Sequence, residues 1–484
     1  MELTTLAPQS LWHYFSQLNA IPRASRKEEK VIAFIEAFGQ QLGLETKKDA
    51  VGNVLIKKPA TPGMENRQTV ILQSHVDMVH QKNGDTPFDF DTQGIDMYVD
   101  GDWVRAHGTT LGADNGIGVA AIMAILAATD VQHPAIEAMF TIDEETGMTG
   151  AMQLDPAPYT GKILLNLDTE EEDEITIGCA GGLDTNTEGT YQQVPALAGG
   201  AAFDITIKGL LGGHSGMDII RGRGNANKLM NRLLYRAHQS FDLQLATLDG
   251  GSLRNAIPRE SRATVVVPGA DKAAFGELVL AFAATLKEEY KTIEADLTID
   301  IVPGNTPASV MEPAYFTQVL RAIYAVPNGV FRMSPDFARL VEASTNLAKV
   351  SIKDGLFITQ SLQRSNVDST KEDVALAVKS TFENIGCEVT QTGGYPGWKP
   401  NPDSAILKQI LSLYNDHFDH QPKVGAIHAG LECGILGALL NGPDMISFGP
   451  TIRGAHSPKE CVQISSVERF YGFLLHILRE IPGK

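Results

Sequence analysis

Three acids stand in a row in "TIDEET" (141–146), Asp143, Glu144 and Glu145, directly behind "AIEAMF", which reads as a half-buried strand. Like charges side by side repel, and the end of a core strand leaves them needing solvent, basic partners or bound cations. Three further polar clusters fall at the downstream ends of strand-like segments or in the loops that follow. They are "SHVD" with His75 and Asp77, "GADNG" with Asp114, and "NLD" with Asp168. His456, in "GAHSP", follows the strand-like "DMISFGP". In open α/β sheets, ligands bind outside the carboxyl ends of the strands, so one sheet edge gathers two histidines and several carboxylates. Such a set holds metal. Imidazole with carboxylate suits zinc, whereas an oxygen-only set would suit magnesium or calcium. His75 and Asp77 point the same way on an extended chain, and such an aspartate can bond the far ring nitrogen of a metal-bound histidine. Glu144 and Glu145 diverge if extended, so one can ligate while the other stays free to take a proton from activated water. That is hydrolytic chemistry. "TEEEDE" (169–174), by contrast, reads as a solvated charge run.

Positioning these groups requires a sheet and its helices. Ser25-x-x-Glu28 predicts a capping box opening a helix, continued by Val31, Ile35, Phe38 and Leu42 at helical spacing. Strands are predicted at "NVLIKK" and "TVILQS" around a "TPG" turn, then a helix at "GIGVAAIMAILAA" and a strand at "KILLNL". This alternation predicts an α/β catalytic domain with a central mixed, largely parallel sheet flanked by helices. Beyond about 186 the texture changes. "AAFDITIKG" and "RATVVV" alternate like strands with one wet face, interleaved with helical stretches such as "NANKLMNRLLYRAH" and "AAFGELVLAFAATLKEEY". The expectation is an inserted α+β lid domain over 186–390, with 1–185 and 391–484 forming the catalytic domain. The turn-rich "GGYPGWKPNPD" marks the return, and "SAILKQILSLYNDHF" and "VERFYGFLLHILREI" resume the helices.

Composition narrows the function classes. The net charge of −18 argues against nucleic acid and anionic membranes as partners. The longest apolar run, "VAAIMAILAA", is too short to span a bilayer. Four scattered cysteines without a CxxC pair, and an opening segment without the features of a signal peptide, predict a reduced, cytoplasmic setting. The glycine-rich "GLLGGHSG" lacks the GK[ST] ending of a P-loop, so nucleotide is not expected there.

"SHVDMV", "GTTLGADNGIG", "DEETGM", "KGLLGGHSG", "RNAIPRE", "HAGLECG" and "GPTIRGAHSP" occur in the order found in the co-catalytic zinc exopeptidases. That family includes peptidase T, carboxypeptidase G and the bacterial aminoacyl-histidine dipeptidases. The sequence resembles it over nearly the whole chain, most closely the last branch. The resemblance implies two divalent ions, zinc by preference with cobalt or manganese as substitutes. His75 and Asp168 would hold one ion, Glu145 and His456 the other, and Asp114, before a cis peptide to Asn115, would bridge both. Glu144 would be the general base and Asp77 the support of His75. His214 would reach the substrate carbonyl oxygen, and Asn255, Arg364 and Gly430 would contact substrate. The implied activity is hydrolysis of dipeptides with free termini, Xaa-His types such as carnosine preferred. Aminotripeptidase or N-acyl amino acid deacylase activity is the near alternative, and a catalytically silent metal-stabilised binding protein the distant one. Small peptides are the expected partners. An insertion this long has room for two α+β halves, which would let His214 act within its own chain, and a homodimer stays open.

Overall fold

Val70–His75, Ile136–Thr141 and Ile163–Asn166 are buried at every residue. Strands without a wet face belong in the middle of a parallel sheet covered on both sides. In the computed structural model, which describes residues 3–484, these strands lie at the centre of an eight-stranded sheet. From one edge its order is Glu45–Lys48, Val54–Lys58, Ile136–Thr141, Val70–His75, Ile163–Asn166, Asp444–Ser447, Glu174–Cys179 and Lys423–Ile427. The four central strands run parallel, with His75 opposite Thr141, Gln73 opposite Asn166, and Asn166 opposite Ser447. Antiparallel pairs flank them. Their carboxyl ends therefore share one edge.

Some local expectations give way to tertiary contacts. The strand before the three acids is buried on both faces rather than half-buried. Its Glu137 is tolerated because Thr160 and Gly161 donate backbone N–H groups to the carboxylate and Lys57 pairs with it. The capping box does not form. The helix starts at Glu29 without a side-chain cap, Ser25 donates instead to the Met78 carbonyl, and Glu28 accepts the N–H groups of Arg26 and Asp143. Leu42 lies past that helix and is exposed. The acids of 169–174 are not a solvated run. Glu171 pairs with Arg453, Glu172 with Arg469, and Asp173 and Glu174 with Lys423. All six residues are half-buried.

Ala113–Ala127 is apolar all round and buried continuously from Asn115 to Leu126, the signature of a helix packed on every side. A separate four-stranded sheet, ordered Ile452–Arg453, Cys461–Gln463, Trp103–Ala106, Met97–Asp100, holds the hairpin that carries His456. Among the described residues no helix is long and apolar enough to cross a membrane.

The chain divides into two units. One comprises the chain through Gly178 with Trp398–Ala426 and Leu431–Lys484; the other is Cys179–Gly397 with Ile427–Gly430. The second unit is built on a nine-stranded antiparallel sheet made of two βαββαβ halves and one added strand, Gly329–Met333, which pairs with Val341–Lys353. In the first half, Gly200–Lys208, Gln244–Gly250, Ser261–Pro268 and Thr298–Pro303 take the spatial order fourth, first, third, second, with helices Ala226–His238 and Lys272–Tyr290. In the other, Gly181–Thr190, Val341–Lys353, Leu356–Ser365 and Glu388–Tyr395 take the same order reversed, with helices Pro313–Ala325 and Asp368–Glu383. The first half interrupts the other after its opening strand. Their second strands pair antiparallel, Leu248 opposite Ile352, making one continuous sheet over a shared apolar core.

Candidate metal centre

Each polar cluster arrives at the carboxyl edge of the eight-stranded sheet on its own element. His75 ends one central strand, Asp168 lies two residues past another, and Glu144 opens a one-turn helix, Glu144–Gly147, just past a third. The turn is not extended, because Asp143 adopts a left-handed conformation (φ 51°). Asp77 receives the backbone N–H groups of both Glu144 and Glu145, at 3.0 and 3.3 Å. His456 comes from the hairpin of the small sheet rather than from the end of a central strand.

Asp114 is the meeting point. Its Oδ1 lies 3.2 Å from His75 Nε2 and its Oδ2 lies 3.3 Å from His456 Nε2. His75 Nε2 also lies 3.4 Å from Asp168 Oδ1, and His456 Nε2 lies 2.9 Å from Glu145 Oε2. His75 Nδ1 lies 3.3 Å from Asp77 Oδ1. Asn115 donates to Asp168 and to the Leu167 carbonyl, and the Asp114–Asn115 peptide is cis. Donor atoms of His75, Asp114 and Glu145 all fall within 4.8 Å of one another.

The charges fit a cation. Hydrogen bonds to Asp114 and Glu145 push His456 up to about 11. Burial works against a charge on His75, but Asp168 and Asp114 raise it well above the usual imidazole range. Burial likewise opposes the Asp114 carboxylate, yet His456 and His75 hold it well below the ordinary value. Protons thus sit where imidazoles face carboxylates, and binding of a divalent ion would release them. Glu145 Oε1 is buried without a hydrogen-bond partner among the described residues. Burial, the largest cause, raises the carboxyls of Glu145 and Asp168, and it raises that of Glu144 well above the normal range, with His75 opposing and Asp168, Glu145 and Glu432 adding.

A second acidic group, Glu28, Asp77 and Asp143, is taken up by backbone N–H groups and by the hydroxyls of Thr146 and Thr149. It braces the loop.

The second unit gathers its own cluster. The loops bearing His214 and Asn255 pair with each other, Ser215 N–H to the Asn255 carbonyl at 2.8 Å and Ile257 N–H to the Gly213 carbonyl at 2.9 Å. A Cβ on Gly216 would lie 2.0 Å from the His428 carbonyl oxygen, so the loop approaches too closely for any side chain there. His214 Nδ1 accepts the N–H groups of Gly216 and Met217 at 3.2 and 3.1 Å, which places the ring proton of the neutral imidazole on Nε2. Burial, then the nearby Arg364, lowers His214 to about 4. Arg364 is buried, with Nη2 3.4 Å from His214 Nε2, Nε 3.4 Å from Ser215 Oγ and Nη1 3.3 Å from Tyr395 Oη. Among the described residues no carboxylate comes within ion-pair distance of it. Two donors face each other with no acceptor between them, an arrangement that suits a ligand oxygen. Asn255 is exposed, and Gly430 closes the 427–430 segment of this unit.

Residues 71–480 match the peptidase family M20/M25/M40. The chain belongs to that family. It is 42% identical to the cytosol non-specific dipeptidase of Escherichia coli over the full length of both chains. Its structure superposes on the aminoacylhistidine dipeptidase of Vibrio alginolyticus with a TM-score of 0.93 and 43% identity, covering 100% of this chain and 99% of the other. The aminopeptidase PepT of Bacillus cereus shares the fold, with a TM-score of 0.57 at 15% identity over 98% of this chain and 99% of that one. As a member of this peptidase family the chain is a peptide-bond hydrolase.

Several residues at the site were not singled out in the sequence. Glu432, inside "HAGLECG", is 1% exposed and accepts from Gln73 and Thr141 at 2.6 and 2.7 Å. Asn166 joins them by donating to Gln73. Gln73, Thr141 and Asn166 form a buried polar layer two residues before His75, Asp143 and Asp168. Alternation in the strands could have flagged that layer, because each of the three sits where an apolar residue is the default.

Proposed function

We propose that this protein is a metal-dependent dipeptidase of the cytoplasm, cleaving short peptides with free termini and favouring Xaa-His dipeptides. Asp114 carries the reading: its two oxygens face two different imidazoles, each with a further carboxylate beside it. The dipeptidase names of the two full-length relatives support the substrate class. His75 and Asp168 would hold one divalent ion and Glu145 and His456 a second, with Asp114 shared between them. Nitrogen and oxygen donors favour zinc, with cobalt or manganese as substitutes. When bound, such ions polarise the peptide carbonyl and make water acidic enough to ionise near neutrality.

The remaining work belongs to side chains. Glu144 takes the proton of the attacking water and passes it to the leaving amine, a task matched by its raised pKa. Asp77 orients His75 through Nδ1. The Nε2–H of His214 donates to the carbonyl oxygen as it gains charge. Arg364, a guanidinium without a carboxylate partner among the described residues, receives the substrate carboxylate, and Asn255 and Gly430 make the remaining substrate contacts. The test compares kcat/KM on an Xaa-His dipeptide, a tripeptide and an N-acetyl amino acid, each with metal restored. The dipeptide should be cleaved fastest. Faster cleavage of the tripeptide or the N-acetyl compound would assign a different specificity.

A further inference from the structure

The segment that delivers Asp114 presents four consecutive backbone N–H groups, those of Leu111, Gly112, Ala113 and Asp114. All four donate to one side chain. Glu460 Oε2 accepts from Leu111 at 2.7 Å and Gly112 at 2.9 Å, and its Oε1 from Ala113 at 2.8 Å and Asp114 at 3.2 Å. Glu460 is 3% exposed and lies four residues after His456, in the same hairpin. A helix cap needs only the N–H groups of the first turn. Here all four N–H groups lie ahead of the regular helix, because Asp114 (ψ 111°) and Asn115 depart from helical geometry. Gly112 is left-handed (φ +69°), and a Cβ there would meet Arg23 and Met78.

Arg23 grips the same segment. It is 1% exposed and donates to the Gly112 carbonyl, to Asn19 Oδ1, and to the Val76 and Asp77 carbonyls at 3.1 Å each. A buried anion and a buried cation therefore hold one stretch of backbone by its N–H groups and by a carbonyl. Through them the segments bearing Asp77, Asp114 and His456 are tied together.

We propose that Glu460 is a positioning residue that locks Asp114 and His456 into one geometry, so that the two sides of the metal centre form as a unit. The inference rests on the ligand roles assigned above to Asp114 and His456. If the carboxylate is lost, four buried N–H groups compete for fewer acceptors, and the two segments become free to shift independently.

The test measures zinc affinity by chelator competition for metal-free wild type, Glu460→Gln and Glu460→Asp, alongside thermal unfolding of each metal-free protein. Glutamine keeps the shape but has one acceptor oxygen and places an NH2 against backbone donors. Aspartate keeps the charge with a shorter reach, and serves as the reading if the glutamine variant does not fold. Per folded molecule, affinity should fall about 10–100-fold, the usual cost of losing a partner that orients ligands. The aspartate variant should lie between the other two wherever both variants fold. A cap that only stabilises the helix would lower the unfolding temperature and leave zinc affinity unchanged; affinity within twofold of wild type overturns the proposal. If wild type itself binds no zinc, the ligand assignment fails instead, and the two failures are distinguishable.

Discussion

Glu145 Oε2 lies 2.9 Å from His456 Nε2, while among the described residues no imidazole pairs with its neighbour Glu144. The pair should therefore separate under matched substitutions. Glu144→Gln keeps size but cannot take a proton, so the rate should fall by ~10²-fold or more, the usual general-base contribution, with metal content unchanged. Glu145→Gln should lose metal first. Rate and elemental analysis on both proteins check this, and swapped phenotypes would reverse the assignment. At this scale His75, Asp77, Glu145 and Asp168 stood out because polar residues at or just past the ends of apolar strands break the strand pattern, and Asp114 stood out in the polar loop "GADNG" that leads into a helix. Glu460 and Arg23 were not. Glu460 meets Leu111 across 349 positions of chain, and a single charge in a polar loop has no periodicity to betray such a partner.

The loop Gly212–Met217 shows what an element contributes beyond its residues. Its close approach at Gly216 and the two backbone donors on Nδ1 aim the His214 ring and set its tautomer. His214→Ala should lower kcat by about 10²–10³-fold, as for loss of one oxyanion donor, without changing metal content. Gly216→Ala leaves the ring but must displace the loop, and should lose a large part of the same factor. With its pKa near 4, the ring stays neutral through the working range, so the His214 contribution should show no acid limb near 6.5. Its folded pKa lies below the ordinary 6.5. The associated stability is therefore present above pH 6.5 and lost as pH falls toward 4, and His214→Ala should flatten that decline in a series of unfolding curves. Long strands and helices were readable from alternation and helical spacing. The small sheet bearing His456 was not, because its strands run only two to four residues. The capping box at Ser25 misled for a physical reason: both side chains found tertiary partners worth more than the local cap.

For the whole molecule, the strand–helix alternation was enough to indicate a central sheet with a large insertion. The length of the insertion suggested two α+β halves, but their matched βαββαβ order was hidden because one interrupts the other, leaving no contiguous repeat. The second unit joins residues from both halves, His214 from one and Arg364 from the other, 3.4 Å apart, so both members of this pair come from one chain. On the proposed function, catalysis depends on divalent metal held by the Asp114 centre. The most direct test is hydrolysis of an Xaa-His dipeptide by chelated protein as zinc is added back in measured equivalents. Activity should be absent without metal and rise to a plateau at two equivalents per chain. Full hydrolysis by protein verified to be metal-free would contradict the account.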